Sequence, residues 1–163
     1  MIDNLNCSRE DAKARRKVIL PDIEEISAIA VDTGLKLHRD IGPGMLESAY
    51  EMILAEKLRS LGLNVFRQVP INIEYDGILI ENAYRIDLLV EDKLVIEVKA
   101  VVQTLPVHAK QVLTYLRFMN LTLGLIMNFG MPTFKEGLRR LVNNHPSFAS
   151  SRLRANQLDG GRL

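Results

Sequence analysis

The chain has 163 residues, 47% hydrophobic and 25% charged, which suits one globular domain with a sizeable core and leaves no room for a second. Its net charge of +1 excludes a global basic field, so any contact with nucleic acid must use a local patch. The single cysteine, Cys7, excludes an internal disulfide and a thiolate metal cage, and no apolar run reaches the ~18 residues of a membrane span, so a soluble cytoplasmic protein without membrane contact is expected.

Residues 1–21 read as a polar arm in which Arg9, Lys13, Arg15, Arg16 and Lys17 cluster, either as a solvated run or as a contact for nucleic acid. From Asp22 the spacing of Ile23, Ile26, Ala30, Thr33 and Leu37 predicts a helix to about His38. Ile41-Gly42-Pro43-Gly44 breaks it, and a second helix is predicted from near Gly44 to about Leu61, with Leu46, Ala49, Ile53, Leu54, Leu58 and Leu61 as its stripe. Glu47, Tyr50 and Leu54 share one flank, where Glu47 either favours the helix dipole or serves a site.

Residues 64–75 alternate as a strand, with Pro70 arguing for an edge or a bulge. Arg67 and Gln68 within it either bind a phosphate or decorate the sheet. The turn Asp76-Gly77 leads to a second strand, 78–90, and the charged turn Glu91-Asp92-Lys93 to a third, 94–100.

Acids interrupt both of these strands. Alternation puts Leu94, Ile96 and Val98 on one face and Val95, Glu97 and Lys99 on the other, with Glu97 and Lys99 about 7 Å apart. A three-residue loop that sets Val90 opposite Leu94 also sets Asp87 opposite Glu97, whereas a two-residue loop would pair Asp87 with Ile96 and separate the acids, so either the odd loop or a bulge is expected. Two carboxylates that close repel unless a proton or cation lies between them, and their hard oxygens suit Mg²⁺ or Mn²⁺. Lys99 beside them could orient an activated water or stabilise charge on a phosphate, the outline of a phosphodiester hydrolase. The plainer alternative is a solvated salt bridge on an exposed sheet.

A helix is predicted over about 107–119. Ala109, Val112, Leu113 and Leu116 form its buried stripe, Lys110, Thr114 and Arg117 face solvent, and His108, Gln111 and Tyr115 form a third stripe that either shoulders the helix or edges a cleft. The apolar run 121–129 suits a strand covered on both faces. Residues 133–143 are expected to form a short helix, with a strand as the alternative, and 146–163 a poorly ordered tail.

Taken together, Gly44-Met-Leu-Glu47-Ser-Ala-Tyr50, Asp87, Glu97-Val98-Lys99 and Gln111-Val-Leu-Thr-Tyr115 resemble the GxxExxY protein family, a branch of the PD-(D/E)XK nuclease superfamily. The likeness covers about residues 22–144, and His38, Arg67, Gln68, the stretch 123–130 and Arg140 also lie where family-like sequence is expected. It implies an α/β fold with a mixed central β-sheet flanked by helices, restriction-endonuclease-like, over residues 22–145. It implies Mg²⁺ or Mn²⁺ held by Asp87, Glu97, the Val98 carbonyl and Glu47, with Asp87, Glu97, Lys99 and Glu47 in catalysis. Gln111, Tyr115, Tyr50, Arg67, Gln68 and His38 are the residues expected to meet substrate or fix the lysine. The expected substrate is nucleic acid, DNA in preference to RNA. With so little net charge, a homodimer is one route to holding it. The superfamily also contains inactive members, so a non-catalytic module binding nucleic acid or protein is the alternative.

Overall fold

The computed structural model describes residues 21–144 and the two-residue strand 153–154. The arm expected over 1–21, Pro21 apart, and the tail expected over 146–163, apart from that strand, lie outside the described residues.

The side chain of Asp22 accepts the Glu25 amide, and Glu25 accepts the Asp22 amide in return. This reciprocal cap starts α1 (Ile23–Ile41), whose helical spacing buries Ile26, Ala30 and Leu37 completely. The next helix, α2 (Glu47–Ser60), begins three residues after Gly44, which sits at φ +125 and cannot be helical. Its buried positions are Tyr50, Glu51, Leu54, Ala55 and Leu58. Leu46 and Leu61, expected in the stripe, are exposed because they fall on the cap and just past the last turn.

Three strands follow as an antiparallel meander, β1 (Val65–Tyr75), β2 (Ile78–Val90) and β3 (Leu94–Lys99). Val90 stands opposite Leu94 across Glu91-Asp92-Lys93, the three-residue loop that the acid pair required. α3 (Pro106–Phe118) then returns the chain so that β4 (Leu123–Asn128) runs parallel to β3. All six residues of β4 are buried. A strand covered on both faces needs its outer backbone groups paired as well. That need explains why the helix expected over 133–143 is only one turn, α4 (Phe134–Gly137), followed by β5 (Leu138–Val142) antiparallel to β4. β6 (Leu153–Arg154) pairs with Glu74 and Tyr75, giving the order β5-β4-β3-β2-β1-β6.

The mixed sheet is therefore flanked by helices on both faces. α1 and α2 pack on Leu88, Val90, Leu94, Ile96, Val98, Leu123, Leu125 and Met127. α3 packs through Val112, Tyr115 and Leu116 on Ile86, Leu89, Val95 and Ile126. It lies so close to β4 that a Cβ on Gly124 would come within 2.6 Å of the Val112 side chain. Thr114 and Arg117, expected on the solvent face of α3, are half-buried instead. Among the described residues no helix is long and apolar enough to cross a membrane.

Near Asp87 the strict alternation of side chains fails. Ile86 and Leu89 both join the α3 side, while Leu88 between them joins the α1–α2 side. On the neighbouring strand Val65 lies on the α1–α2 side and Val69 on the α3 side, with Gln68 between them at φ +54. The register pairs Arg67 with Leu88 and Val69 with Ile86, so Gln68 faces Asp87 across this break. The β2–β3 ladder also stops at Leu88–Ile96, one step short of the acids.

A buried amide holds the chain that leaves β3. Asn128 is fully buried; its Oδ1 accepts the amides of Val101 and Gly130 at 3.0 Å each, and its Nδ2 donates to the Val101 carbonyl at 2.8 Å. Losing these bonds would leave partly buried backbone groups unpaired, together with the cavity of a fully buried side chain, each costing about 1–3 kcal/mol. Asn128→Ala is therefore expected to lower the unfolding free energy by about 3 kcal/mol in urea titrations. An unchanged midpoint would show that water replaces the amide.

Candidate active site

The hairpin register and the loss of alternation bring Asp87 and Glu97 into one open cleft of about 450 Å³, lined also by Pro70, Asn82, Ala83, Tyr84, Arg85, Gln111 and Tyr115. Because the ladder has ended, Asp87 Oδ2 is free to accept the Val98 amide, at 2.9 Å, so the carboxylate itself bridges β2 to β3. Lys99 emerges one strand step beyond Glu97. Its ammonium donates to Glu97 Oε1 at 2.8 Å, to the Val98 carbonyl at 2.9 Å and to Glu47 Oε1 at 3.2 Å, and lies 3.9 Å from Asp87 Oδ2. The four oxygen donors implied by resemblance thus surround one cationic nitrogen.

Charge and burial act on these groups together. Glu97 is pushed up to about 7, first by burial and then by the Asp87 charge, with Lys99 opposing. Asp87 is also raised by burial, against the Val98 amide and Lys99. For Lys99, burial favours the neutral amine, but Glu97, Asp87 and Glu47 together outweigh it and hold its pKa above the ordinary value. The Tyr115 hydroxyl is raised by burial and by Glu97, so it stays a neutral phenol.

Among the described residues no three His, Cys, Asp or Glu side chains form a ready-made metal cage. A hard divalent ion does not need one, since Mg²⁺ is commonly held by one or two carboxylates with waters and substrate oxygens. Asp87, Glu97 and the Val98 carbonyl fit that requirement. One further feature supports the fit: Glu97 Oε2 is buried and has no hydrogen-bond partner among the described residues. Such an orphan oxygen is costly unless something cationic meets it.

Glu47 stands in this group because of the loop that precedes it. Gly42 and Gly44 turn at positive φ, and the buried Tyr50 hydroxyl donates to the Gly42 carbonyl at 2.6 Å and accepts the Met45 amide at 3.2 Å. Tyr50 in turn stacks on Phe129 at 4.6 Å, and Phe129 donates its amide to the Lys99 carbonyl. The glycine, glutamate and tyrosine of the motif are thereby one unit: a turn, the acid it delivers and the phenol that pins the turn.

His38 and Tyr50 do not line the cleft. His38 is buried, with Nε2 2.9 Å from the Met131 carbonyl and its ring against Phe129 and Phe134. Gln111 and Tyr115 do line it, but they hydrogen-bond each other, and the lysine is held by acids and a carbonyl instead. His108 accepts the Leu105 amide at the start of α3. Arg67 and Gln68 are engaged by protein. Arg67 Nε donates to Glu51 Oε1 at 3.0 Å, while Gln68 Nε2 donates to Glu51 Oε2 at 2.6 Å and reaches Asp87 Oδ1 at 3.4 Å.

Glu51 was not legible as a site residue, although it falls on the buried stripe of α2 at helical spacing from Leu54 and Leu58. A glutamate in that stripe was the available signal. Its carboxylate clamps the break in β1 from behind Asp87. Removing it leaves a half-buried guanidinium and an amide without their acceptor, so Glu51→Ala is expected to cost about 2–3 kcal/mol in chemical denaturation. A loss below about 0.5 kcal/mol would mark the pair as energetically idle.

Searches of curated proteins and of solved structures returned no match. The family described as the PD-(D/E)XK nuclease superfamily, whose nucleases generally use divalent metals, matches residues 24–141. That match spans most of the chain and contains every group around Lys99, and the protein belongs to the PD-(D/E)XK nuclease superfamily.

Proposed function

We propose that the protein is a divalent-metal-dependent nuclease of the GxxExxY branch, hydrolysing phosphodiester bonds of nucleic acid, DNA in preference to RNA. The observation that carries this reading is the convergence of Asp87, Glu97, Glu47 and the Val98 carbonyl within 3.9 Å of the Lys99 ammonium. The coupled turn at Gly42–Tyr50 that delivers Glu47 supports the branch.

In this reading Asp87 and Glu97, with the Val98 carbonyl, hold Mg²⁺ or Mn²⁺, and Glu47 supports that shell. When bound, the ion supplies the Lewis acidity that activates water and neutralises charge on the phosphate. Lys99 keeps its proton, because the acids raise its pKa, and donates to the phosphate oxygen on which negative charge builds. Glu47 and Glu97 hold the ammonium in place before substrate arrives. Gln111 and the phenol of Tyr115 present neutral polar groups in the cleft that holds the acids.

The test is cleavage of labelled DNA and RNA oligonucleotides by purified protein with Mg²⁺, Mn²⁺ or EDTA. Cleavage that needs the metal and disappears in Glu97→Ala and Lys99→Ala supports the reading. Unchanged cleavage by both variants overturns it. Size-exclusion chromatography with and without oligonucleotide tests whether a second copy is recruited to hold substrate.

A further inference from the structure

Beyond the acid pair the cleft continues along a wall that the proposed chemistry does not use: Asn82, Ala83, Tyr84 and Arg85. Arg85 is exposed and lies two residues along β2 from Asp87, about 7 Å away. Among the described residues its side chain has no ion-pair partner, whereas Arg59, Arg67 and Arg140 are all paired with glutamates. Tyr84 is 37% exposed in the same wall, with its ring braced edge-on against Tyr115 at 5.5 Å and by Phe118 at 6.5 Å. Backbone irregularity fixes this wall. The register changes between Ile71–Tyr84 and Ile73–Ile80, Asn82 turns at φ +51, and its amide is held by Asn72 Oδ1 at 2.8 Å.

An exposed aromatic ring and an exposed arginine without an ion-pair partner, both in the lining of the cleft that holds the acids, match the two recognition elements of an unpaired nucleotide: base face and phosphate. Within a duplex the base faces are stacked and cannot reach a ring in a cleft without being extruded. We infer that the cleft receives an unpaired nucleotide, with Arg85 on the phosphate flanking the scissile one and Tyr84 stacked on its base. The substrate is then a single strand or an unpaired end in preference to continuous duplex. This rests on the nuclease reading above and assigns the substrate class of the same site.

The inference is tested by cleavage kinetics and by fluorescence-anisotropy binding, each with a single-stranded oligonucleotide and the blunt duplex of the same sequence. Tyr84→Leu keeps apolar bulk against Tyr115 and Phe118 but removes the π face. It is expected to weaken single-strand binding by roughly 5- to 100-fold, while Tyr84→Phe restores it. Arg85→Ala is expected to weaken binding and reduce the salt slope by about 0.7, the share of one single-strand phosphate contact. For both variants the kinetic loss falls in KM rather than in kcat. Equal losses on duplex and single strand, or wild-type preference for blunt duplex, overturn the inference. Absence of cleavage on every substrate, with single-strand binding still lost in Tyr84→Leu and regained in Tyr84→Phe, would overturn the nuclease reading and support the cleft assignment.

Discussion

Lys99→Ala is expected to slow metal-dependent cleavage by about 10²–10³-fold, the usual loss when one preorganised donor to a developing anion is removed. Lys99→Arg should not restore the rate. The ammonium is a compact charge with three donors, and it already contacts Glu97, Glu47 and the Val98 carbonyl. A planar guanidinium cannot occupy that position with the same contacts. The expected signature differs from that of the proposed metal ligands. Lys99→Ala removes a cation from the acid cluster, so thermal stabilisation by Mn²⁺ should persist or grow. Asp87→Asn removes a ligand oxygen, so both cleavage and Mn²⁺ stabilisation should be lost. Loss of Mn²⁺ stabilisation in Lys99→Ala with full retention in Asp87→Asn would reverse the assigned roles.

The second large effect concerns stability against pH. Glu97 has its pKa raised to about 7 in the folded chain, against 4.5 as its ordinary value. The folded protein therefore binds the Glu97 proton more tightly than the unfolded chain does between pH 4.5 and 7. The resulting stabilisation is full below pH 4.5 and is lost as pH rises through 7. At 1.36 kcal/mol for each pH unit, the loss is on the order of 3 kcal/mol for a side chain this deeply buried. Asp87, raised in the same direction, adds to it.

Metal-free protein should accordingly unfold more readily at pH 8 than at pH 5.5. Glu97→Gln, which cannot ionise, should be more stable than wild type at pH 8 by about 1–3 kcal/mol and similar to it near pH 5. Saturating Mn²⁺ should reverse the order at pH 8, because it stabilises the ionised acids of the wild type and has one ligand fewer in the variant. Urea titrations at the two pH values, with and without Mn²⁺, decide the matter. A Glu97→Gln variant less stable than wild type at pH 8 without metal would mean that its ion pair with Lys99 outweighs burial and the repulsion by Asp87.

The same geometry shows which parts of the site were written locally. A two-residue side-chain period and an odd-length loop were enough to predict Asp87 and Glu97 on one surface with Lys99 beside them. Both are properties of adjacent strands. Glu51 carried only a weak signal, its place on the apolar stripe of α2, because an acid on an amphipathic helix ordinarily faces water. Its burial follows only from Arg67 and Gln68, which reach it from the next strand. His38 and Tyr50 belonged to the motif region, but whether such rings meet substrate or hold a loop depends on Phe129, far along the chain. Over 133–143 periodicity left a strand only as the alternative to a helix; the unmet backbone groups of β4 settled Leu138–Val142 as a strand.

By itself, then, the sequence determined the hairpin register and the acid, acid, lysine surface, because each follows from side-chain period and turn length within a few residues, while the mixed sheet with flanking helices was implied by the family resemblance. Tertiary structure alone decided that the lysine lies among four oxygens, that Glu51 braces the strand behind Asp87, and that Tyr84 and Arg85 wall the cleft. Those outcomes depend on burial and on breaks in alternation at Gln68 and Asp87, where packing of helices on both sheet faces overrides local preference.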